Sequence, residues 1–507
     1  MQLRIATFSL VLGLVAVEAG GDALASPNLA LEHPLYLELA RLRASGALPP
    51  YLGGLRPLTE ARAQELRRAA GLAPDPRLVS DAERGAWLAP VHHLRMRGAL
   101  VRDRLRPHST EIHPRDLVGG VAISCEHQQG RACGDGAGLE WELDSAAGYG
   151  AWLAAVTRVR AVVGSGDHDA EASIDRAYAS AELGPVALQI GRDVLVIGPS
   201  ARTQAMWGDN APPLDHLRVS TARPLPLVGA GGSILRANAL FFLGRLREPQ
   251  KFEGAMVDGT RVQLDLWDAV EVGLTHLIQF GGDGAPDYSF GDYILEHVQH
   301  NAPPPMALGF ANHRLSGDVA VSVPDLAGLR VYYELAAEDM RDEIGSMLRR
   351  DADHVLGVEI DRLAPRTGLL VELTSTGVRS HEHQLFTTGT TSAGRIVGNP
   401  LGPSSLAAFA GVRLDVGDAL VWPWLEIARQ SSDTYLFGTG VITRLEDNPE
   451  EWRARAGARA ALRLTSELRL DLRALAERVT TADFTPGRTR WNAAAEAVAV
   501  WSPAWRL

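Results

Sequence analysis

Short stretches in which apolar and polar residues alternate are the dominant pattern of this chain. In residues 261–266, the apolar side chains of Val262, Leu264 and Leu266 alternate with charged or amide side chains. Residues 468–473 repeat the pattern, with leucine alternating with arginine or aspartate. Because the side chains of a β-strand alternate between its two faces, each stretch has one apolar and one ionic face. Many such strands favour a barrel with lipid outside and polar groups inside.

Similar stretches continue through most of the chain beyond residue 140, separated by glycine, proline or charged clusters. Residues 261–280 are too long for one strand and are predicted to form a hairpin around Asp268 and Ala269. With about 9–11 residues per strand plus turns, residues 140–507 would supply roughly sixteen to twenty strands. The pattern predicts an all-β fold, a large antiparallel transmembrane β-barrel over residues 116–507.

The first 115 residues have a different character. Arg4, an apolar stretch from Leu10 to Val17 and the small residues Ala23 and Ala25 predict a signal peptide over residues 1–25. The apolar stretch is too short for a membrane-spanning helix, which needs about 20 residues. We therefore expect cleavage and export, with the mature protein in the outer membrane of a Gram-negative bacterium.

Residues 26–115 are predicted to form a small helical subdomain. Leucines spaced at i, i+4 and i+7 predict a helix from about Pro34 to Ala44. Thr59 is a suitable N-cap for a second helix, with Glu60 in its first turn and an end near Gly71. A third helix is predicted from residue 81 to about residue 105.

The net charge of −11 gives no reason to expect a nucleic-acid partner. The only two cysteines, Cys125 and Cys133, are close together in the sequence. In an oxidising compartment we expect them to form a disulfide. A metal site that also uses His127 is the alternative, but this spacing matches no established metal-binding pattern. No metal and no cofactor are therefore predicted.

Short motifs occur in order over most of the chain, among them residues 33–36, 48–52, 191–193, 210–215, 241–246 and 398–403. Together they resemble the Wzi capsule-assembly family of outer-membrane proteins. The resemblance implies an eighteen-stranded barrel that holds capsular polysaccharide or exopolysaccharide at the cell surface without catalysis. It also implies that the helical subdomain lies on the periplasmic side of the barrel, where polysaccharide export machinery is a candidate partner. The chain departs from the family pattern in the charged stretch 165–176 and in ending on Leu507 instead of phenylalanine.

Trp207, Asp209 and Asn210 are the candidate polysaccharide-binding residues. An aromatic face packs against sugar C–H groups, and planar polar side chains bind hydroxyl groups. These three residues lie in a stretch without strand alternation, where such side chains are available to a ligand. The alternative is that Trp207 belongs to the core or to the aromatic girdle of the barrel.

Other residues of suitable type are better explained without a ligand. Trp422 and Trp424 are assigned to the girdle or the core, whereas Tyr435 remains a residue of the required type. His381 and His383 would lie on one face of a strand, as metal ligands do. Two histidines are too few ligands, so a solvated surface stretch is the preferred interpretation.

Arg192 interrupts the apolar alternation of a predicted strand and is expected to point into the lumen. A carboxylate must then compensate its charge. The expected lumenal charge network comprises Glu334, Glu338, Asp339 and Glu372.

The sequence thus predicts a non-catalytic, lectin-like outer-membrane protein in contact with membrane lipid that anchors or organises surface polysaccharide. The alternative is a porin-like channel or a polysaccharide export conduit, which would conduct ions through an open lumen. An exported carbohydrate-active enzyme on a soluble β-scaffold is a third hypothesis, which the strand pattern does not favour.

Overall fold

The computed structural model describes residues 26–48, 54–75, 78, 86–102, 127–131, 135–149, 153–165, 168–228, 235–287, 289, 291–293, 311–338, 344–383, 385–437 and 442–503. The predicted signal peptide lies outside the described residues, as do Cys125, Cys133 and Asp339. The disulfide and the cleavage site therefore stay predictions.

Eighteen antiparallel strands form one closed barrel, in which neighbours in the chain are neighbours in the sheet and the last strand pairs with the first. Two consecutive segments pair with the same neighbour and together make the sixth strand. The strands are β1 (Ala86–Leu100), β2 (Gly136–Tyr149), β3 (Leu153–Ser165), β4 (His168–Leu183), β5 (Val186–Asp193), β6 (Leu214–Thr221 and Leu225–Val228), β7 (Leu235–Arg245), β8 (Met256–Leu266), β9 (Val270–Phe280), β10 (Ala311–Val323), β11 (Leu329–Glu338), β12 (Ala352–Ala364), β13 (Thr367–Ser375), β14 (Ser405–Val416), β15 (Ala419–Ser431), β16 (Glu450–Arg463), β17 (Leu468–Thr480) and β18 (Thr489–Trp501).

The two faces of the sheet differ as the alternation predicts. On β8, Arg261, Gln263 and Asp265 are buried inside the barrel. On the outer face, Ile190 and Leu425 are 64% and 63% exposed. An outer surface of exposed aliphatic side chains is stable against hydrocarbon, because polar groups there would lose their hydration. The predicted hairpin at residues 261–280 is confirmed as part of β8 and β9.

The two mouths of the barrel have connections of different lengths. One mouth, the short-turn mouth, includes the turns at residues 184–185, 267–269, 324–328, 365–366, 417–418 and 464–467. The opposite mouth, the long-loop mouth, includes the connections at residues 101–135, 194–213, 246–255, 281–310, 339–351, 376–404 and 432–449.

Two of the three predicted helices are confirmed, as α1 (Leu35–Ala44) and α2 (Glu60–Ala69). The Thr59 side chain accepts a hydrogen bond from the backbone N–H of Arg62, so it is the N-cap that the sequence predicts. Leu35 and Leu39 of α1 share an apolar cluster with Leu66 of α2. None of the helices in the described residues is long and apolar enough to cross a membrane.

Both helices lie at the short-turn mouth. Arg43 of α1 is 3.4 Å from Glu271, and Arg41 pairs with Asp415 near the turn after β14. The N-terminal segment therefore covers the end of the barrel at which the chain enters it.

The third predicted helix is wrong, because residues 86–100 form strand β1. Leu94 and Met96 are exposed, whereas His93 and Arg95 are buried, which is an alternation of period two. Strand β1 pairs with both β2 and β18 and so closes the barrel. The barrel consequently begins at Ala86, earlier than the predicted boundary at residue 116.

An arginine on the outer face should be costly in proportion to its depth. Leu425 lies at the middle of β15, so Leu425→Arg is expected to cost about 2–4 kcal/mol of folding free energy in a bilayer. Val416, which is 62% exposed at the short-turn end of β14, is the matched control. Val416→Arg should cost about 0–1 kcal/mol. Denaturant titration in lipid vesicles measures both, and equal costs would contradict the assignment of the outer face.

Candidate functional site

Two connections of the long-loop mouth fold back into the lumen. They are residues 194–213, between β5 and β6, and residues 376–404, between β13 and β14, and we call them the plug. Most of their described residues are buried. The two segments bond to each other, since the Gly208 N–H donates to the Val397 carbonyl over 2.7 Å. The Asn210 side chain also donates to a carbonyl of the second segment, over 2.9 Å.

Glu334 of β11 holds the first plug segment. Its carboxylate accepts hydrogen bonds from the Ser200 N–H at 2.9 Å, the Ser200 hydroxyl at 2.5 Å and the Ala205 N–H at 2.9 Å. Gly198 lies against the same carboxylate, and a β-carbon there would be 2.3 Å from a Glu334 oxygen. Gly198 also has a φ of +124°, which other residues rarely adopt. Glycine is therefore required where the plug meets this carboxylate.

Glu372 of β13, two strands from β11, also accepts hydrogen bonds from the first plug segment. Its carboxylate accepts from the Thr203 N–H at 3.0 Å and from the Tyr332 hydroxyl at 2.7 Å. The Tyr332 ring lies over Gly357, where a β-carbon would be only 1.9 Å from the ring. We call Glu334, Glu372 and Tyr332 the carboxylate socket.

The second plug segment is fixed through Arg314 of β10. This guanidinium donates to Glu338 at 2.6 Å and to the Ala205 carbonyl at 2.8 Å, and it also pairs with Asp353. Glu338 in turn accepts the His381 N–H over 2.8 Å. One buried arginine and its carboxylates thus connect both plug segments to the same part of the wall.

The first plug segment also bonds to β15, two strands beyond β13 in the wall. Arg202 pairs with Glu426 of β15, which also accepts from Arg455 of β16 at 2.6 Å. Asp209 is 2.8 Å from His127, a residue of the β1–β2 connection. Burial by itself would raise the pKa of Asp209, but the adjacent imidazole outweighs it and holds that pKa below its usual value. This segment is attached to β5 and β6, which lie across the barrel from β13 and β15, so the plug crosses the lumen.

The N-terminal segment meets the plug from the other mouth. Leu55–Arg56 forms a short antiparallel pair with Val196–Ile197. The Asn28 side chain donates to Asp193 of β5 over 2.6 Å. Residues that precede the barrel in sequence therefore complete the packing of the lumen.

Trp207 and Asn210, predicted to bind polysaccharide, are interior residues of the plug. Trp207 is 4% exposed and packs edge-to-face on Phe242, with ring centroids 5.4 Å apart. Asn210 is 1% exposed. Neither offers a surface to a polymer, because the segment that carries them folds inward. Asp209 is partly buried and is engaged by His127.

The prediction that Arg192 points into the lumen is wrong. It shares the outer face of β5 with the exposed Ile190 and forms a bidentate pair with Asp215, both bonds being 2.7 Å long. The reason is that Gly191, not Arg192, is in phase with the buried Gln189. Three of the expected partners of Arg192 do line the lumen, namely Glu334, Glu338 and Glu372. They contact the plug and its supporting residues instead of Arg192.

The tryptophans of β15 face the lumen. Trp424 stacks on Phe409, with ring centroids 5.8 Å apart. Exposed aromatic residues lie instead on the outer wall near the strand ends, where Trp452 and Trp491 are 44% and 56% exposed.

The prediction that the stretch around residue 381 is a solvated surface is wrong, since His381 is fully buried in the plug.

A hairpin that sequence reasoning did not single out lies at the long-loop mouth, between β15 and β16. Its strands are Thr434–Phe437 and Ile442–Glu446, and Tyr435 lies directly opposite Arg444. Arg444 is 2.8 Å from Asp433, and its side chain is 42% exposed. The hairpin thus presents an aromatic ring and a guanidinium side by side outside the lumen, and the buried Asp433 holds the guanidinium.

A family model described as capsule assembly protein Wzi matches residues 121–492, which include both plug segments and the carboxylate socket. The chain belongs to this family. No protein with a curated description matches this Wzi-family chain in sequence.

The fold was also compared with solved structures. The fold is similar to that of Wzi from Escherichia coli, described as an outer membrane protein involved in group 1 capsule assembly and a carbohydrate-binding β-barrel. The two chains share 13% identity with a TM-score of 0.64, over 94% of this chain and 99% of the other. OccD3 (OpdP) of Pseudomonas aeruginosa has 10% identity and a TM-score of 0.47, over 90% and 99% of the two chains. A BenF-like porin from Pseudomonas fluorescens Pf-5 has 10% identity and a TM-score of 0.44, over 83% and 98%.

Removing the two carboxylates of the carboxylate socket should release the plug and open the lumen. Glu334→Ala combined with Glu372→Ala leaves several buried N–H groups of the plug without acceptors, at about 1–3 kcal/mol each. We expect the double variant to carry large currents in planar bilayers and the unmodified protein to carry little. The control is Asp265→Asn, which alters a lumenal carboxylate that pairs with Arg236 instead of the plug. Equal conductance of the double variant and the control would show that these carboxylates do not hold the plug.

Proposed function

We propose that this Wzi-family protein is a non-catalytic outer-membrane barrel that binds capsular polysaccharide or exopolysaccharide and organises it at the cell surface. The observation that carries the proposal is the family match over the whole plugged part of the barrel. The Escherichia coli Wzi of similar fold, described as carbohydrate-binding and involved in capsule assembly, supports the same function.

The proposed orientation places the long-loop mouth outside the cell and α1 and α2 in the periplasm. Outer-membrane barrels have short periplasmic turns and longer external loops, and this chain has the same asymmetry. In this orientation the helices are the part of the protein available to polysaccharide export machinery, our proposed periplasmic partner.

The plug favours binding over transport. Barrels of sixteen to eighteen strands are wide enough for an aqueous channel unless chain fills the lumen. In this protein, the plug is attached at β5 and β6, and across the barrel a backbone hydrogen bond joins it to β11 and an ion pair joins it to β15. A polymer passing through would have to break these bonds, so the porin-like and conduit alternatives are less well supported than surface binding.

The external hairpin is the proposed polysaccharide contact. The buried Asp433 positions Arg444. Tyr435 supplies an aromatic face, and Arg444 supplies planar hydrogen-bond donors. Their position at the long-loop mouth leaves them accessible to a polymer, unlike Trp207 and Asn210. We therefore transfer the predicted binding role from the plug to this hairpin.

Substituting the hairpin side chains should weaken polysaccharide binding. For Tyr435→Ala and Arg444→Ala we expect about three- to tenfold weaker binding each, corresponding to about 0.7–1.4 kcal/mol per contact. Binding of purified capsule of the producing strain to protein in detergent, measured by biolayer interferometry, tests this. Trp491→Ala removes an exposed aromatic from the outer wall and should leave binding unchanged. An effect of Trp491→Ala as large as that of Tyr435→Ala would contradict the assignment.

The orientation has a direct test, because Lys251 is the single lysine of the chain and lies exposed in the β7–β8 connection of the long-loop mouth. A membrane-impermeant amine reagent applied to intact cells that lack capsule should label this residue. Lys251→Arg should abolish the labelling. Labelling that required disruption of the outer membrane would reverse the proposed orientation.

A further inference from the structure

Three charged residues form a row across neighbouring strands on the outer face of the barrel. Arg192 of β5 lies opposite Asp215 of β6, which lies opposite Arg245 of β7. Directly opposed residues have β-carbons about 4.5–5.5 Å apart, so the three side chains are neighbours. All three lie at the long-loop ends of their strands. Together with Arg247, two residues beyond Arg245, they are called the arginine row.

The arginine row has more positive than negative charge. Asp215 is occupied by its bidentate pair with Arg192. Arg245 is exposed and lies against Gly254, and no acceptor among the described residues bonds its guanidinium or that of Arg247. Burial lowers the pKa of Arg247, and the nearby charge of Arg192 lowers it further. Asp175 also acts on Arg192 and Arg247, but it lies 3.4 Å from Arg160. The three cations therefore still outnumber the carboxylates near them, which favours an anionic ligand.

The next outward-facing row, towards the short-turn mouth, is apolar. It consists of Ile190, Leu217 and Leu243, which are opposed across the same three strands. Ile190 and Leu217 are 64% and 42% exposed. A cationic row above an aliphatic row corresponds to the boundary between lipid headgroups and acyl chains.

We propose that the arginine row binds the phosphate of an anionic lipid headgroup in the leaflet around the long-loop mouth, with the acyl chains of that lipid against Ile190, Leu217 and Leu243. Arginine binds phosphate through two parallel N–H donors, and cations close to an anionic membrane surface are attracted to it. An acidic polysaccharide would satisfy the cations, but it would leave the aliphatic row facing water or sugar hydroxyls. The pairing of the two rows therefore favours a lipid.

The opposite side of the barrel provides a matched control. Arg429 of β15 also faces outward near the long-loop end of its strand, between Leu406 and Trp452. Its charge is compensated by Glu450, 2.6 Å away. A single compensated arginine has no excess charge to offer, so this position should contribute little to lipid binding.

The test is native mass spectrometry of the purified full-length protein in detergent, with diphosphorylated lipid A as the probe. We expect the Arg245→Gln, Arg247→Gln double variant to bind it at least about tenfold more weakly, and Arg429→Gln to bind it normally. Asp215→Asn removes the only carboxylate of the row and should tighten binding. Heat-modifiable gel migration, which requires a closed barrel, confirms that each variant is folded.

Three further probes identify the source of the anion. Dephosphorylated lipid A and inorganic phosphate should both bind much more weakly than the diphosphorylated lipid. If an oligosaccharide of uronic acids displaced the lipid, or if inorganic phosphate bound equally well, the proposal would be overturned. Unchanged lipid binding by the double variant would also overturn it. Because polysaccharide binding at Tyr435 is a separate measurement, failure of the lipid site leaves the proposed function standing.

Discussion

The buried carboxylates of β11 and β13 are the interaction on which the rest of the structure depends. A barrel of eighteen strands encloses more space than its wall side chains fill, and a loop that enters this space brings unpaired backbone N–H groups. Glu334 and Glu372 accept those groups from residues 200–205. Without such acceptors the loop would lose hydration without compensation and would be more stable outside the lumen. Because of these bonds the plug stays inside the lumen and Trp207 is buried. The polar side chains that remain available to a ligand, such as those of the hairpin at Tyr435, lie outside the lumen.

The cations of the chain are suited to such an interior. Of its 50 lysine and arginine residues, one is lysine. Arginine keeps its charge when it is buried and presents a planar set of donors that match a carboxylate at two points. Arg261 bonds both oxygens of Asp318, at 2.6 and 2.9 Å, and also the Thr275 hydroxyl. Lysine, a strongly hydrated point charge, would leave more of these acceptors unsatisfied.

The strands could be predicted because a half-buried strand repeats every two residues, as on β8 and β17. The third helix was wrong because residues 86–100 contain aliphatic and basic residues that fit either period, and only their pairing with β18 decides between them. The plug could not be predicted, since no local pattern distinguishes a loop that projects from a loop that folds into a lumen. For the same reason Trp207 was a candidate for ligand binding. A tryptophan in an exposed loop and a tryptophan in a buried loop cannot be told apart in the sequence. The hairpin at Tyr435 was missed because its partners, Asp433 and Arg444, become neighbours only through strand pairing.

Amide hydrogen exchange of the unmodified protein in detergent, followed by mass spectrometry, tests the central claim most directly. If the carboxylate socket holds the plug inside a closed barrel, the amides of residues 200–205 exchange as slowly as those in the middle of β11 and β13. Exchange of this segment as fast as that of the exposed turn at residues 417–418 would show that the plug is not bound to the wall, and it would contradict the account.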